Sequence, residues 1–339
     1  MLFASIIAFL FGGAATYVCL LLFRSKFILH GFFGLDVHKP GKPKVAEMGG
    51  IVSGIIIDAV LTGMYFYVPL TARAFVLVLL GTFTYYVLLG LVDDLWELSR
   101  RIKLGGALLG GVWMDILGIL LHVRFFSANP YLPLVGQIHI LFVYPFLIPV
   151  GLAVTSNAYN MYDVYNGTLT FASALVFGVL GVLILIDQVA KYSAMVSAFS
   201  LLCSGVSIGL YLMNRYPSKF FIGDVGSLPL GAAAGMVAIT GNLEAVVAVA
   251  IMPMILNGFL SFGSVGKIFE SHQFPERPVL VKDGMISANP HAGAPISLAG
   301  VLTSRSPLSE KQLIARYHLL TVIGVGLAIA TFFLTPWGG

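Results

Sequence analysis

Charge is scarce in this chain: only 10% of its 339 residues are Asp, Glu, Lys or Arg, against 58% hydrophobic residues. A soluble globule usually carries about a quarter of its residues charged, so a soluble enzyme or binding module is excluded. Cysteine is nearly absent. Cys19 and Cys203 both stand inside apolar runs, which rules out a disulfide framework or a thiolate metal cluster. No basic stretch is interleaved with aromatics, so the net charge of +4 does not mark a nucleic-acid surface. The chain also has no long polar linker of the kind that separates domains, and residues 1–339 read as one membrane-embedded unit.

What is present is a series of apolar runs. The first, over residues 2–23, is longer than the roughly 7–15 apolar residues of a signal peptide, and nothing basic precedes it. It reads as a membrane-spanning helix, for which about 20 residues suffice. Nine more follow at 49–70, 74–91, 104–123, 137–155, 168–186, 192–213, 228–241, 243–262 and 317–334. The expectation is an all-α integral membrane protein of about ten transmembrane helices. A hairpin-containing cytoplasmic loop, residues 267–316, joins the last two, with its turn at Asp283-Gly284. Alternate loops differ sharply in basic residues: sixteen of the nineteen Lys and Arg fall on one side, and only Arg73, Arg124 and Lys191 on the other. Cytoplasmic loops hold such an excess, so both termini are expected on the non-cytoplasmic side.

Every polar cluster falls on the basic side: "DVHKPGKPK" from Asp36, "VDDLWELSRRIK" from Val92, "NAYNMYDVYNG" from Asn157, "NRYPSKFFIGDVGS" from Asn214 and "HQFPERPVLVKDG" from His272. Asp93 and Asp94 are adjacent carboxylates that repel unless a cation or a base role exploits them. Lys103 follows ten residues after Asp93, and carboxylates beside fixed cations suit a phosphate substrate with its metal. Asn157, Asn160, Asp163 and Asn166 recur every three residues and would share roughly one face of a helical turn; helix capping is the plainer alternative. In "FFIGDVGS" the glycines allow close backbone approach, Asp224 offers a hard oxygen ligand and Phe221 a stacking face. His272 and Arg277 are candidates for a sugar or phosphate. His30, His122, His139, His291 and His318 lack metal-ligand spacing and read as structural. Intramembrane Asp58 and Asp115 raise a rival class, an ion-coupled transporter, although no inverted repeat accompanies them.

Four of these motifs, in order along nearly the whole chain, resemble the polyprenyl-phosphate N-acetylhexosamine-1-phosphate transferases: "DVHKPGKPKVAEMGGIVSG", "VDDLWELSRRIK", "NAYNMYDVYNG" and "NRYPSKFFIGDVGS". Within that family the chain looks most like the dolichyl-phosphate N-acetylglucosamine-phosphotransferase branch, on Asn166, "MPMILNGFLSF" and "HQFPERPVLVKDGMIS". Asp163 matches the bacterial pattern instead, and Glu97 replaces an asparagine of the eukaryotic branch. The insertion that eukaryotic members carry in the last cytoplasmic loop is absent, which points to an archaeal or prokaryotic form.

The resemblance implies transfer of a sugar-1-phosphate, GlcNAc-1-phosphate on the branch assignment, from a UDP-sugar to a polyprenyl or dolichyl phosphate. The products are the lipid-linked diphosphate sugar and UMP, the first step of lipid-linked oligosaccharide synthesis. A peptidoglycan-type phospho-MurNAc-pentapeptide transferase is the alternative within the family. By the same carry-over Asn160 and Asp224 hold Mg²⁺, with Mn²⁺ as a substitute, and Asp93 or Asp94 orients or deprotonates the lipid phosphate. Lys103 and Arg277 neutralise phosphate charge, and Asn166 and Phe221 receive uracil. Asp36, Lys39 and Lys44 flank the mouth of the site, and His272, Asn157, Asn214 and Asn257 stand in substrate-binding motifs. The active site is expected to face the cytoplasm, from the cell membrane if the source is prokaryotic. Small residues on helix faces permit a homodimer.

Overall fold

The structure is a computed structural model and describes residues 2–337 apart from 40, 128, 141, 187–189, 266–275 and 292. It is mostly helical. Helix α1 (Leu2–Leu29) leads into a small antiparallel pair, β1 (Phe33–Leu35) and β2 (Lys44–Ala46), then α2 (Gly50–Tyr67), α3 (Leu70–Trp96) and α4 (Arg100–Leu120). A second pair, β3 (Tyr131–Leu132) and β4 (Gly136–Gln137), precedes α5 (Tyr144–Tyr162), α6 (Thr168–Ile186), α7 (Ser193–Asn214) and α8 (Asp224–Gly241). The chain closes with α9 (Glu244–Ala250), α10 (Met252–Val265), the strands β5 (Val279–Lys282) and β6 (Met285–Ala288), α11 (Leu298–Thr303), β7 (Leu308–Ser309) and α12 (Glu310–Leu334).

Each of the ten apolar runs is helical, with boundary shifts that matter for the site. The fifth helix starts at Tyr144 because residues 131–137 form the β3–β4 hairpin, and it continues to Tyr162, carrying Asn157 and Asn160 within it. The ninth run is broken: α9 and α10 meet at 71°, and Pro253 in the first turn of α10 has no N–H with which to continue the α9 ladder. Among the described residues seven helices, α1 to α4, α6, α7 and α12, are long and apolar enough to cross a membrane, and the bent pair makes up to eight. The chain is therefore a multi-pass membrane protein.

α8 lies outside that count on its composition, which matches what surrounds it. From Val225 to Gly241 every residue is buried. A helix enclosed on all sides needs small residues more than lipid-soluble ones, and "DVGSLPLGAAAGMVAITG" supplies them. A Cβ added to Gly231 would lie 2.5 Å from the Thr155 carbonyl of α5. One added to Gly90 of α3 would lie 2.4 Å from the Asp224 carbonyl. The same device brings α1 against α7, where a Cβ on Gly205 would meet the Phe9 carbonyl at 2.0 Å. Within lipid, helices gain nothing from burying apolar surface against each other, so such close backbone packing supplies the attraction.

The C-termini of α1, α3, α5, α7 and α10 and the N-termini of α2, α4, α6, α8 and α12 share one end of the bundle. Four of the five polar clusters of the sequence emerge there, as does the described part of the fifth, from residue 276. Both chain termini lie at the other end, where the Leu134 N–H donates to the Leu334 carbonyl at 3.3 Å and Tyr131 meets Trp337 with ring centroids 5.4 Å apart. The hairpin foreseen at Asp283-Gly284 is the β5–β6 turn, with φ of 52° and 75° at those residues, and β7 adds a third strand.

Candidate active site

At the polar end a cavity of about 800 Å³ opens beside the N-terminus of α8. Ile222 and Phe221 hold this N-terminus in place: their carbonyls accept from Gly50 and Gly49 at 2.8 and 2.9 Å, while the Phe221 N–H donates to Ala46 at 2.7 Å. Gly223 then turns with φ +71°, and a Cβ there would lie 2.5 Å from Asp94 Oδ2. That glycine is required twice, for its backbone angle and for the closeness of Asp94. A new helix exposes unpaired N–H groups, and those of Asp224 and Val225 are taken by the two Asp94 oxygens at 2.8 and 2.9 Å. Asp94 is thus engaged as a cap on α8. Asp93 is engaged too, Oδ1 accepting from the Leu98 N–H at 2.9 Å and Oδ2 pairing with Lys103, so the two carboxylates differ in their partners: backbone N–H groups alone for Asp94, an ammonium as well for Asp93.

Ser99 caps α4, its hydroxyl accepting from the Ile102 N–H at 3.4 Å, and this places Lys103 in the first turn. The ammonium bridges Asp93 and Asp224, reaching Asp224 Oδ2 at 2.5 Å. Asn160, near the end of α5, donates to Asp224 Oδ1 at 2.6 Å and to Ser227 Oγ at 2.9 Å. Three regions far apart in sequence, 93–103, 160 and 224–227, therefore meet around one carboxylate. Asp163 and Glu47 line the same cavity. Burial first, and then Asp224 and Asp94, push the Asp163 carboxyl up to about 7. Burial and Asp224 likewise raise Glu47. The group holds more carboxylates than Lys103 can neutralise.

A second set lines the other part of the cavity. Asp36 is buried after β1 and accepts from Asn166 Nδ2 at 3.1 Å. His38 meets the Tyr165 ring at a tilt of 35°, with centroids 4.9 Å apart. Burial holds its pKa below the ordinary value, with Lys39 and Arg277 adding to the effect and Asp36 opposing it. Phe221 also lines the cavity.

The sequence that builds this site has counterparts among known proteins. Glycosyl transferase family 4 matches residues 76–242, a span that includes Asp93, Asp94, Lys103, Asn160, Asn166 and Asp224. A phospho-N-acetylmuramoyl-pentapeptide-transferase of a Geobacillus species is 30% identical over 229 residues, covering 62% of this chain and 68% of the relative. The chain belongs to glycosyl transferase family 4. A Methanocaldococcus jannaschii protein provisionally named as a glycosyltransferase is 28% identical over 98% of this chain and 95% of its own length. A Saccharolobus solfataricus protein provisionally named as a UDP-N-acetylglucosamine–dolichyl-phosphate N-acetylglucosaminephosphotransferase is 28% identical over 68% of this chain and 69% of its own.

In this family 4 chain several expected site residues have other employment. Asn157 donates back to the Ala153 carbonyl at 2.8 Å, one turn earlier in α5, and does not line the cavity. The expected single face for Asn157, Asn160, Asp163 and Asn166 ends with the helix at Tyr162, beyond which Asp163 leaves helical geometry at φ −80°, ψ 62°. Asn214 accepts from the Gly167 N–H at 3.0 Å and donates to the Phe220 carbonyl at 2.9 Å, pinning the two cavity loops to each other. Asn257 joins the Met161 carbonyl at 2.7 Å to the Leu298 N–H at 3.0 Å. Asn214 is part of the cavity lining, with both ends of its amide hydrogen-bonded, whereas Asn257 lies outside the lining. Lys44 is exposed and lies over Phe33 at 4.1 Å, outside the cavity lining. Arg277 is outside the lining too, yet near enough to act on His38. His272 lies outside the described residues. Asp58 accepts from Thr84 at 3.0 Å, and neither it nor Asp115 lines the cavity.

Three residues escaped the sequence reading: His38, Glu47 and Glu310. His38 and Glu47 stand inside the first motif as quoted, where Asp36, the lysines and the glycines drew the attention. Glu310 carried no local signal, because it reaches the site only through the fold. A divalent cation finds suitable donors among the described residues. Asp224, Asp163 and the Asn160 amide oxygen are hard oxygen atoms of the kind Mg²⁺ takes, and the surplus carboxylate charge fits one. Asp36, His38 and Glu310 also cluster within 4.8 Å, but there the Lys39 ammonium already pairs with both carboxylates and takes the cation's place.

Proposed function

We propose that the chain transfers a sugar-1-phosphate, GlcNAc-1-phosphate being the preferred group, from a UDP-sugar to a polyprenyl or dolichyl phosphate at the cytoplasmic face. The reading rests on one observation: Lys103, Asp93, Asp224 and Asn160 converge from three regions of the chain at the edge of a cavity large enough for a nucleotide sugar. Family membership, the names of the relatives and the charge asymmetry of the loops support it. The relatives divide between N-acetylglucosamine and N-acetylmuramoyl-pentapeptide donors in their names.

In the reaction an oxygen of the lipid phosphate attacks the sugar-bearing phosphorus of the UDP-sugar. The bond between that phosphorus and the bridging oxygen breaks, and UMP departs with the oxygen. Asp93 orients the lipid phosphate and takes its proton where it carries one. Its neighbour Lys103 lies where a positive charge offsets the charge building on the transferring group, and Arg277 adds to this from the last loop. Asp224 with Asn160 would hold Mg²⁺, which when bound withdraws charge from the diphosphate. Asn166 and Phe221 receive the uracil, and Asp36 and Lys39 secure that side of the pocket.

Release of UMP by purified protein, given Mg²⁺ and a polyprenyl phosphate with UDP-GlcNAc, UDP-GalNAc or UDP-MurNAc-pentapeptide in turn, tests both levels. UMP from UDP-GlcNAc above the others is expected. A preference for the pentapeptide donor overturns the sugar assignment alone, and no UMP from any donor overturns the reaction.

A further inference from the structure

Glu310 is the first residue of α12, 144 positions beyond Asn166, yet it is only 5% exposed and lies within 4.8 Å of Asp36 and His38, which line the cavity. Its helix start is firmly set. Ser309 and Gln312 form a reciprocal capping box, and Ser309 also pairs with Met285 in the three-stranded sheet. From this anchored position both Glu310 oxygens reach the Lys39 ammonium, at 3.2 and 3.4 Å. Lys39 in turn pairs with Asp36, which is 3% exposed, and lies over the Tyr216 ring at 4.5 Å. Asp36 completes the chain by accepting from Asn166 Nδ2 at 3.1 Å, and the backbone of Asn166 donates toward Glu310 as well.

The consequence for Asn166 is chemical. An ionised carboxylate only accepts, so Asp36 selects the orientation of the Asn166 amide in which nitrogen points at it and oxygen points away. Asn166 is 6% exposed and lines the cavity, so the oxygen is what it can offer a ligand there. An amide oxygen matches the imide N–H of uracil and mismatches the unprotonated ring nitrogen at the same position of cytosine. Without Glu310, Lys39 would keep one partner in place of two, and the Asp36 carboxylate would lose its fixed position.

We propose that Glu310 is a positioning residue for base recognition: through Lys39 and Asp36 it holds the Asn166 amide in the orientation that accepts from uracil and rejects cytosine. The inference rests on the reading of Asn166 as the uracil contact. Nothing in it requires Glu310 to touch substrate.

The test compares the wild type with Glu310→Gln, which keeps size and hydrogen-bond acceptance, Glu310→Ala, and Asp36→Asn, whose amide can donate to a reversed Asn166. UDP and CDP are titrated as ligands, and UDP-GlcNAc turnover is followed in parallel. Wild-type binding of UDP well above CDP establishes the underlying reading, and equal binding overturns that reading before any variant is made. Given it, Glu310→Ala is expected to raise KM for the UDP-sugar with kcat little changed and to reduce UDP-over-CDP discrimination about tenfold, the worth of one misaligned hydrogen bond. Glu310→Gln should recover part of the discrimination, and Asp36→Asn should lose it. Discrimination unchanged in Glu310→Ala, or a fall in kcat alone, overturns the assignment of Glu310 while leaving the uracil contact intact.

Discussion

Replacing Asp94 by asparagine separates a structural carboxylate from a catalytic one. Each Asp94 oxygen accepts one N–H at the start of α8, from Asp224 at 2.8 Å and from Val225 at 2.9 Å. Asparagine keeps one acceptor and turns the other into an NH₂ that faces an N–H. Losing a hydrogen bond to a charged group costs about 1.5–3 kcal/mol. Removing a negative charge from a helix N-terminus costs a further 0.3–1 kcal/mol or so. The sum, about 2–4 kcal/mol, corresponds to a fall in melting temperature on the order of 3–6 °C for a chain of this size. The assay is a thermal scan of detergent-purified protein beside turnover measured at a temperature where both forms are folded. Asp93→Asn is the contrast: it leaves the α8 cap intact but removes the charge paired with Lys103, so kcat should drop even at the temperature where the variant is fully folded. If Asp94→Asn melts within a degree of the wild type and has lost its activity, the capping argument fails and Asp94 is the reactive carboxylate.

Asp224→Asn keeps the size of the side chain and the α8 start, and should reduce turnover by about 10²- to 10³-fold, or shift it to far higher Mg²⁺, as loss of a charge contact in the transition state does; normal turnover at the wild-type Mg²⁺ optimum would show that the metal is held elsewhere. The Asp163 carboxyl is raised to about 7 in the fold, above the ordinary carboxylate value near 4, so the folded state binds the proton more tightly. Its contribution to stability is therefore complete below about pH 4 and is lost as pH rises through about 7. Melting temperatures across this range in a chelator should fall more steeply for the wild type than for Asp163→Asn, and parallel curves would refute the assignment. Gly205→Ala puts a Cβ 2.0 Å from the Phe9 carbonyl, so α1 and α7 must separate, at a cost of about 1–3 kcal/mol for an overpacked contact. An unchanged melting temperature would mean that the two helices do not pack as described.

Much of the site was legible because its chemistry depends on residue types that an apolar chain otherwise avoids. A carboxylate pair, a lysine ten residues on, spaced asparagines and an aspartate between glycines stand out against lipid-soluble runs, and Asp93, Lys103, Asn160, Asn166, Phe221 and Asp224 all line one cavity. What a residue type cannot show is where its hydrogen bonds go. Asn157, Asn214 and Asn257 look as polar in the sequence as Asn160 does, yet their amides are taken by backbone groups.

The sequence by itself determined that the chain crosses a membrane repeatedly and that its polar chemistry gathers at one end, since hydropathy and charge distribution are properties of the residues in order. It also determined the β5–β6 turn, because Asp-Gly favours the left-handed backbone found there. Three-dimensional packing alone decided that Asp94 caps a helix 130 residues away while Asp93 pairs with Lys103. It also made α8 an enclosed helix and brought Glu310 to Lys39 across 271 positions. Local pattern reports which groups need partners. Which partner each one finds depends on the contacts that close glycine packing permits between helices distant in sequence, and no local pattern encodes that.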